Sequence, residues 1–135
     1  MSIREYITDL KLIDTIEFKI GSLYFFERFV VSEFNEGEHI NFENFKTPSE
    51  IINSFYDERP FGFIANRINS YSIELNDTKK WNSTFPTLKA YAVVSERVFS
   101  HNLFILENKF FEYNRKIFEN LDDAINWVET TLIEP

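Results

Sequence analysis

A short apolar run from Phe61 to Ala65 constrains the fold of this chain more than any other feature. It directly follows a proline, and apolar or small residues without alternation are typical of a strand buried on both faces. A second run of this kind, Leu88 to Val94, predicts another buried strand, parallel to the first. Strands buried on both faces need helices packed on the sheet, so the sequence predicts an α/β fold.

The stretch before the first run predicts antiparallel strands. Thr15 to Ile20 alternates apolar and polar side chains, which indicates a half-buried strand. Gly21 and Ser22 then predict a tight two-residue hairpin turn, because glycine readily adopts the positive φ of its first position. Leu23 to Phe34 predicts a second strand, with either a bulge or the start of a third strand near Glu27.

Helix signals alternate with the later strands. Thr47 as the cap, Pro48 at the first helical position and Glu50 three residues after the cap predict a helix start. A short helix is expected over Asp77 to Trp81, and a last strand over Tyr113 to Phe118. The sequence thus predicts one domain over residues 1–135, a mixed sheet with an N-terminal antiparallel hairpin followed by alternating strands and helices.

The last two helices are predicted from their caps and apolar faces. Ser95 is a candidate N-cap for the first, and Asn120 caps the second, whose opening turn is acidic. The apolar face of the first helix is expected to contain Phe99, Leu103, Leu106 and Phe110, and that of the second Leu121, Ala124, Ile125, Val128 and Leu132.

Composition limits the classes of function. A formal net charge of −8 repels phosphodiester backbones, and no Lys/Arg cluster offsets it, so no nucleic-acid partner is expected. The absence of cysteine excludes disulfides and thiol chemistry and fits a reducing compartment. Without an apolar leader or an apolar run long enough to span a membrane, we expect a cytoplasmic protein.

Polar side chains follow both buried runs and form the leading candidate site. Asn66, Arg67, Asn69, Ser70 and Ser72 follow the first run, and Ser95 and Arg97 follow the second. Ligands of open α/β sheets bind at the carboxyl ends of the strands, so these residues are candidates for ligand binding or regulation. Arg67 and Arg97 could together hold an anion; alternatively, Arg97 pairs with a surface carboxylate and Ser70 caps a turn.

Catalytic and metal motifs are not recognisable in the sequence. His39 and His101 lie far apart and neither has a metal-ligand spacing, and no serine stands in a Gly-x-Ser-x-Gly context. The three glycines, at 21, 37 and 62, cannot build a phosphate loop. We therefore expect no catalytic residues, no metal, no cofactor and no enzyme activity.

The second half of the chain resembles a known family. Leu88 to Ser95, the helix after it and, above all, Phe118 to Val128 are similar to the SpoIIAA-like, or STAS-like, family. Its members commonly finish with a phenylalanine strand end, an acidic turn, an alanine and a tryptophan before a final apolar helix. The resemblance extends weakly back to about Thr47 and implies a small mixed sheet with helices over one side, often dimeric and usually without enzymatic activity.

The resemblance also suggests a regulatory serine. In the anti-sigma-factor antagonists of this fold, a serine in an Asp-Ser-Ser-Gly motif after the central strand is phosphorylated to switch partner binding. This chain instead has Asn66-Arg67-Ile68-Asn69-Ser70 in about that place. Ser70 and Ser72 therefore match the family by position and not by motif.

Two hypotheses for function follow. The first is a regulatory or protein-interaction module with an unknown protein partner, and a homodimer is expected. The second is a carrier for a small apolar or anionic ligand, in a cavity lined by some of the 16 phenylalanines and with its polar head near Asn66, Arg67 and Ser70. An apolar cavity of several hundred Å³ would favour the carrier. A filled core with an exposed apolar patch would favour the interaction module.

Overall fold

The computed structural model describes residues 1–6 and 8–133. Its strands are β1 (Asp14–Phe18), β2 (Gly21–Phe25), β3 (Phe29–Phe34), β4 (His39–Ile40), β5 (Phe61–Asn66), β6 (Ser72–Ile73), β7 (Leu88–Val94) and β8 (Arg115–Phe118). Its helices are α1 (Lys46–Tyr56), α2 (Thr78–Trp81), α3 (Val98–Glu107) and α4 (Leu121–Ile133), and 3₁₀ turns span Ile3–Glu5 and Leu75–Asp77.

The main sheet has six strands in the order β1-β2-β3-β5-β7-β8. β1, β2 and β3 pair antiparallel, whereas β3, β5, β7 and β8 pair parallel. β4 and β6 form a separate parallel pair. The predicted mixed α/β sheet is confirmed, and the stretch Leu23 to Phe34 contains two antiparallel strands.

One face of the sheet packs against α1, α2 and α3. The parallel strands follow one another in chain order, so right-handed crossovers place the three connecting helices on the same side. Aromatic side chains fill this interface: the rings of Tyr56 and Phe61 stack with centroids 4.5 Å apart, and both residues are fully buried. The Tyr56 hydroxyl donates a 2.8 Å hydrogen bond to the carbonyl of Phe26.

The opposite face of the sheet packs against α4. Its buried residues include Tyr24, Val31, Ile64, Ala90 and Ala92, and they contact the α4 stripe predicted from the sequence: Leu121, Ala124, Ile125 and Val128, with Leu132 partly buried. The predicted Asn120 cap is confirmed, because the Asp123 amide donates a 2.8 Å hydrogen bond to its side-chain oxygen. Helices thus cover both faces, whereas the family resemblance implied one.

The hairpin turn lies two residues earlier than predicted. Phe18 pairs with Gly21, so Lys19 and Ile20 form the turn and Gly21 begins β2. Gly21 has a φ of +150°, and a Cβ there would lie 2.4 Å from the carbonyl oxygen of Glu33. A glycine is needed at position 21 because of its positive φ and its close approach to β3. The sequence prediction instead attributed this glycine to the hairpin turn.

α1 also begins earlier than its capping signal predicted. Phe45 is the N-cap and makes no side-chain cap bond, while Thr47 and Pro48 lie inside the first turn. The Asn41 side chain accepts a 2.7 Å hydrogen bond from the amide of Asn44, and the Asn44 side chain accepts a 2.9 Å hydrogen bond from the amide of Asn41. This local turn starts the helical path before Thr47, and Pro48 fits because first-turn amides have no intrahelical acceptor.

A close contact between β5 and α4 gives a test of the fold. A Cβ at Gly62 would lie 2.3 Å from Cγ1 of the buried Val128. We expect Gly62→Ala to lower the free energy of unfolding by about 1–3 kcal/mol through overpacking. Val128→Ala removes the clashing methyl groups, so the double variant should be more stable than the sum of the single effects predicts. Urea unfolding measures this, and additive effects would contradict the contact.

Candidate functional site

A cleft of ≈ 320 Å³ lies at the carboxyl ends of β5 and β7. Four of the predicted site residues line it: Asn66, Arg67, Ser95 and Arg97. Asn69, Ser70 and Ser72 are not among its lining residues. Ligand crevices of open α/β sheets form where the order of the parallel strands reverses. The parallel strands β3, β5, β7 and β8 follow chain order across the sheet, so no such reversal occurs among them.

Asn66 holds the N-terminal segment against the sheet. Its buried side-chain amide donates hydrogen bonds of 2.9 Å to the carbonyl of Met1 and 2.8 Å to Glu33. The Glu33 carboxylate also accepts from the hydroxyl of Ser2 and the amide of Ile3, both at 2.7 Å. The donors of Asn66 are therefore committed to structure.

Arg97 joins α3 to the loop that follows β5. Its guanidinium donates 3.0 Å hydrogen bonds to the Ser70 hydroxyl and to the carbonyl of Ile68. It is also the N-cap of α3, so the prediction that Ser95 has this role is wrong; the Ser95 hydroxyl accepts from the Arg97 amide at 3.1 Å. Ser95 fixes the turn before the helix and not the helix itself.

The cleft is not suited to the anion that the two arginines suggested. Carboxylates of Glu96, Glu119 and Asp122 line it as well. The Tyr6 hydroxyl donates to Asp122, and this hydrogen bond, with burial, raises the pKa of Tyr6 to about 12. The cleft is lined by these three acidic residues and by two arginines. The guanidinium of Arg67 points away from the cleft, because it binds Glu107.

Asn69 and Ser72 belong to other parts of the structure. The side-chain amide of Asn69 donates 3.0 Å to the carbonyl of Phe34. The Ser72 hydroxyl is hydrogen bonded to Nδ1 of His39 at 2.6 Å, and Nε2 of His39 lies 3.5 Å from Glu74. In this exposed serine–histidine–glutamate set, the amides of Ser72 and Glu74 donate to the carbonyls of Glu38 and Ile40, so these two amides are not free to serve as oxyanion donors.

The side chain of Arg67 runs beneath α3 to a residue that the sequence analysis did not select. One of its terminal nitrogens donates to both oxygens of Glu107, at 2.8 and 2.9 Å. Arg115 donates to the same carboxylate at 3.1 Å. We call these three residues the arginine cluster. Their side chains are buried: Arg67 is 2% exposed, Glu107 5% and Arg115 0%.

Aromatic rings surround the arginine cluster. The Arg115 guanidinium lies 4.5 Å from the ring centroids of Tyr91 and Phe111 and 4.8 Å from that of Phe104. The Arg67 side chain donates 3.2 Å to the hydroxyl of Tyr71. Burial acts to lower the pKa of Arg67, but Tyr71 and Glu107 outweigh it and raise that pKa above its ordinary value. Arg67 therefore keeps its charge.

α3 buries a different face from the one predicted. Ser100, Phe104 and Glu107 are its buried residues, whereas Leu106 and Phe110 are exposed and the side chain of Phe99 lies outside the described part of the chain. Apolar side chains occur all round this helix, so spacing alone did not identify its inner face. Glu107 lies three residues after Phe104, on the same side of the helix. A carboxylate on this side of the helix was the sequence signal that could have indicated the arginine cluster.

The outer face of α3 exposes large apolar side chains. Val98 is 79%, Ile105 62% and Leu106 44% exposed, and Phe110, just after the helix, is 43% exposed. We call these four residues the α3 apolar surface. Ile105 and Leu106 follow Val98 by seven and eight residues, which is about two helical turns, so the three side chains share one side of the helix.

An apolar cavity lies on the α1–α3 side of the sheet. Its volume is ≈ 50 Å³, and aromatic side chains dominate its lining, among them Phe45, Phe63, Phe85 and Phe111. Within residues 1–6 and 8–133, no three His, Asp or Glu side chains are grouped to hold a metal ion. Over the same residues, no helix is both long and apolar enough to cross a membrane.

The arginine cluster predicts a large effect of its carboxylate on stability. Glu107→Gln leaves two buried guanidiniums without a counter-charge, so we expect the free energy of unfolding to fall by about 3–5 kcal/mol. Glu112→Gln, at an exposed position nearby, should change it by less than about 0.5 kcal/mol. Equal effects in urea unfolding would contradict a structural role for the cluster.

Tyr71 predicts how stability depends on alkaline pH. Burial raises its pKa from 10.0 to about 12, so its neutral form stabilises the folded state fully below about pH 10, and this contribution is lost as the pH rises to about 12. Wild type should therefore lose up to roughly 3 kcal/mol more than Tyr71→Phe over this range. Unfolding free energies at pH 9 to 12 measure the difference, and parallel declines would refute it.

Comparison with known proteins supports the fold. Neither the known protein families nor the curated protein sequences give a match to this chain. A crystal structure of an uncharacterised protein of the DUF3478 family from Shewanella loihica PV-4, described as having a SpoIIAA-like fold, is similar to it with a TM-score of 0.56 and 13% sequence identity. The similarity covers 95% of this chain and 98% of that one. The chain therefore has a SpoIIAA-like fold, as the resemblance of its sequence implied.

Proposed function

We propose that this chain is a cytoplasmic, non-enzymatic binding module that docks the α3 apolar surface onto a protein partner. The observation that carries the proposal is the exposure of Val98, Ile105 and Leu106 on one side of α3. Exposed clusters of large apolar side chains on soluble proteins commonly mark interaction sites. A helix that presents apolar residues at these spacings suits a partner with an apolar groove.

The size of the apolar cavity favours binding to a protein over carriage of a large ligand. Pockets for drug-sized molecules measure about 300–1,000 Å³. The aromatic cavity is ≈ 50 Å³, so it holds no such molecule without rearrangement. The filled aromatic core and the exposed α3 apolar surface together match the pattern expected of an interaction module.

Ile105→Glu tests the docking surface. A carboxylate at the centre of an apolar interface must lose its water, so we expect this variant to bind the partner at least tenfold more weakly. Ile133→Glu is the matched control, because Ile133 is 66% exposed on α4 against 62% for Ile105. Affinity capture with quantitative mass spectrometry should give proteins that wild type and the control retain and Ile105→Glu loses.

Sedimentation of the purified protein over a range of concentrations identifies the case in which the partner is a second copy. A homodimer through α3 would dissociate in Ile105→Glu and persist in Ile133→Glu. If both variants retain the same partners and the same assembly state as wild type, α3 is not the docking surface and the proposal fails.

A further inference from the structure

The arginine cluster contains more positive than negative charge. Arg67 and Arg115 both contact Glu107, and all three side chains are at least 95% buried. Arginine is not deprotonated in proteins at ordinary pH, and burial raises the pKa of Tyr71 to about 12, so that phenol is neutral. Over residues 1–6 and 8–133, two guanidiniums thus share one carboxylate, and one buried positive charge has no counter-charge.

Three nitrogens of the cluster have no hydrogen-bond acceptor among the residues that the structure describes. They are Nη1 of Arg67 and both Nε and Nη1 of Arg115. The rings of Tyr91, Phe104 and Phe111 attract the guanidinium of Arg115 through their faces, but they do not neutralise it. Buried polar groups in folded proteins are almost always paired, so unpaired donors of this kind indicate an anion or an ordered water.

We propose that the arginine cluster binds a small organic monocarboxylate. One carboxylate supplies the one negative charge that the cluster lacks, and its oxygens accept hydrogen bonds from guanidinium nitrogens in a favourable planar geometry. A phosphate dianion would leave an excess negative charge among the same rings. The cleft at the ends of β5 and β7, which Arg67 also lines, contains the carboxylates of Glu96, Glu119 and Asp122 and so has the opposite balance of charge.

The surroundings of the cluster specify the rest of the ligand. Tyr71, Tyr91 and Phe111 contact the two guanidiniums, and the same three residues line the ≈ 50 Å³ apolar cavity. Neither arginine lines this cavity itself, so an alkyl or aryl body lies against these rings and its carboxylate reaches the guanidiniums when one of the rings moves aside. The small volume limits that body to a few carbon atoms, which distinguishes this ligand from a long-chain fatty acid.

The site is independent of the proposed docking surface. Glu107 lies on the inner side of α3, whereas Ile105 lies on the outer side. Ile105→Glu should therefore bind the carboxylate as wild type does, even if it loses its protein partner. Failure of one proposal leaves the other standing.

Thermal unfolding with a series of sodium salts tests the proposal in the wild-type protein. Acetate, butyrate, hexanoate, octanoate and benzoate are compared with chloride at equal sodium concentration. A ligand that binds only the folded state raises the Tm in a saturable way, and we expect the largest rise for butyrate, hexanoate or benzoate, with a decline at octanoate. Calorimetric titration with the best salt should give one site per chain.

Three outcomes in wild type would overturn the proposal. If chloride raises the Tm as much as the carboxylates do, the cluster holds a halide. If no salt has a saturable effect, ordered water satisfies the three nitrogens. If the Tm keeps rising from hexanoate to octanoate, the ligand lies outside this small cavity.

Arg115→Met locates the site. It removes the excess charge and leaves a one-to-one pair of Arg67 and Glu107, so it should fold and bind the best carboxylate at least tenfold more weakly. Lys116→Met removes a neighbouring exposed cation and should bind as wild type does. Unchanged affinity in Arg115→Met would place the ligand elsewhere. If that variant does not fold, Arg115→Lys, which keeps the charge with fewer donors, must still weaken binding several-fold.

Discussion

The architecture depends on the burial of β5 on both of its faces. All six residues from Phe61 to Asn66 are buried. Phe61 and Phe63 contact the aromatic layer under α1 to α3, while Ile64 belongs to the layer under α4. A strand of this composition is stable only when apolar layers cover both sides of the sheet. The crossover helices supply one layer and α4 supplies the other.

The elements that the sequence predicts best are those whose burial is uniform along their length. Leu88 to Val94 is a strand over the bounds that its apolar run indicates, and the α4 stripe faces the sheet as its spacing requires. Local turn and cap signals were less reliable. The position of Gly21 depends on its close contact with β3, and the start of α1 depends on the turn before Thr47. Tertiary contacts overrode the local preference at both places.

The candidate site shows the same division between local and distant information. Arg67 could be selected because it follows a buried strand, but its partner Glu107 lies 40 positions further along the chain. Arg115 was read only as part of a strand. Nothing in the spacing of these residues indicates that they meet, since pairing across the sheet and under a helix is set by the assembled fold. Asn66 was selected for the same reason as Arg67, yet it stabilises the N-terminal segment.

α3 reverses the usual arrangement of a surface helix. It buries Glu107 and Ser100 beside Phe104 and exposes Val98 and Ile105. Amphipathic helices normally bury their apolar face. Ionic contacts hold the inner side of α3, and its outer apolar side is left uncovered in the isolated chain.

The close packing of α4 on Gly62 also bears on how the protein is made. Tyr24, Val31, Ile64 and Ala92 are covered by α4, which follows every strand of the sheet in the chain. Synthesis proceeds from the N-terminus, so the ribosome releases strands β1 to β8 before the helix that closes this side of the sheet. Until α4 emerges, the nascent chain presents an apolar sheet face on which a chaperone can act, and native folding is completed only after its synthesis.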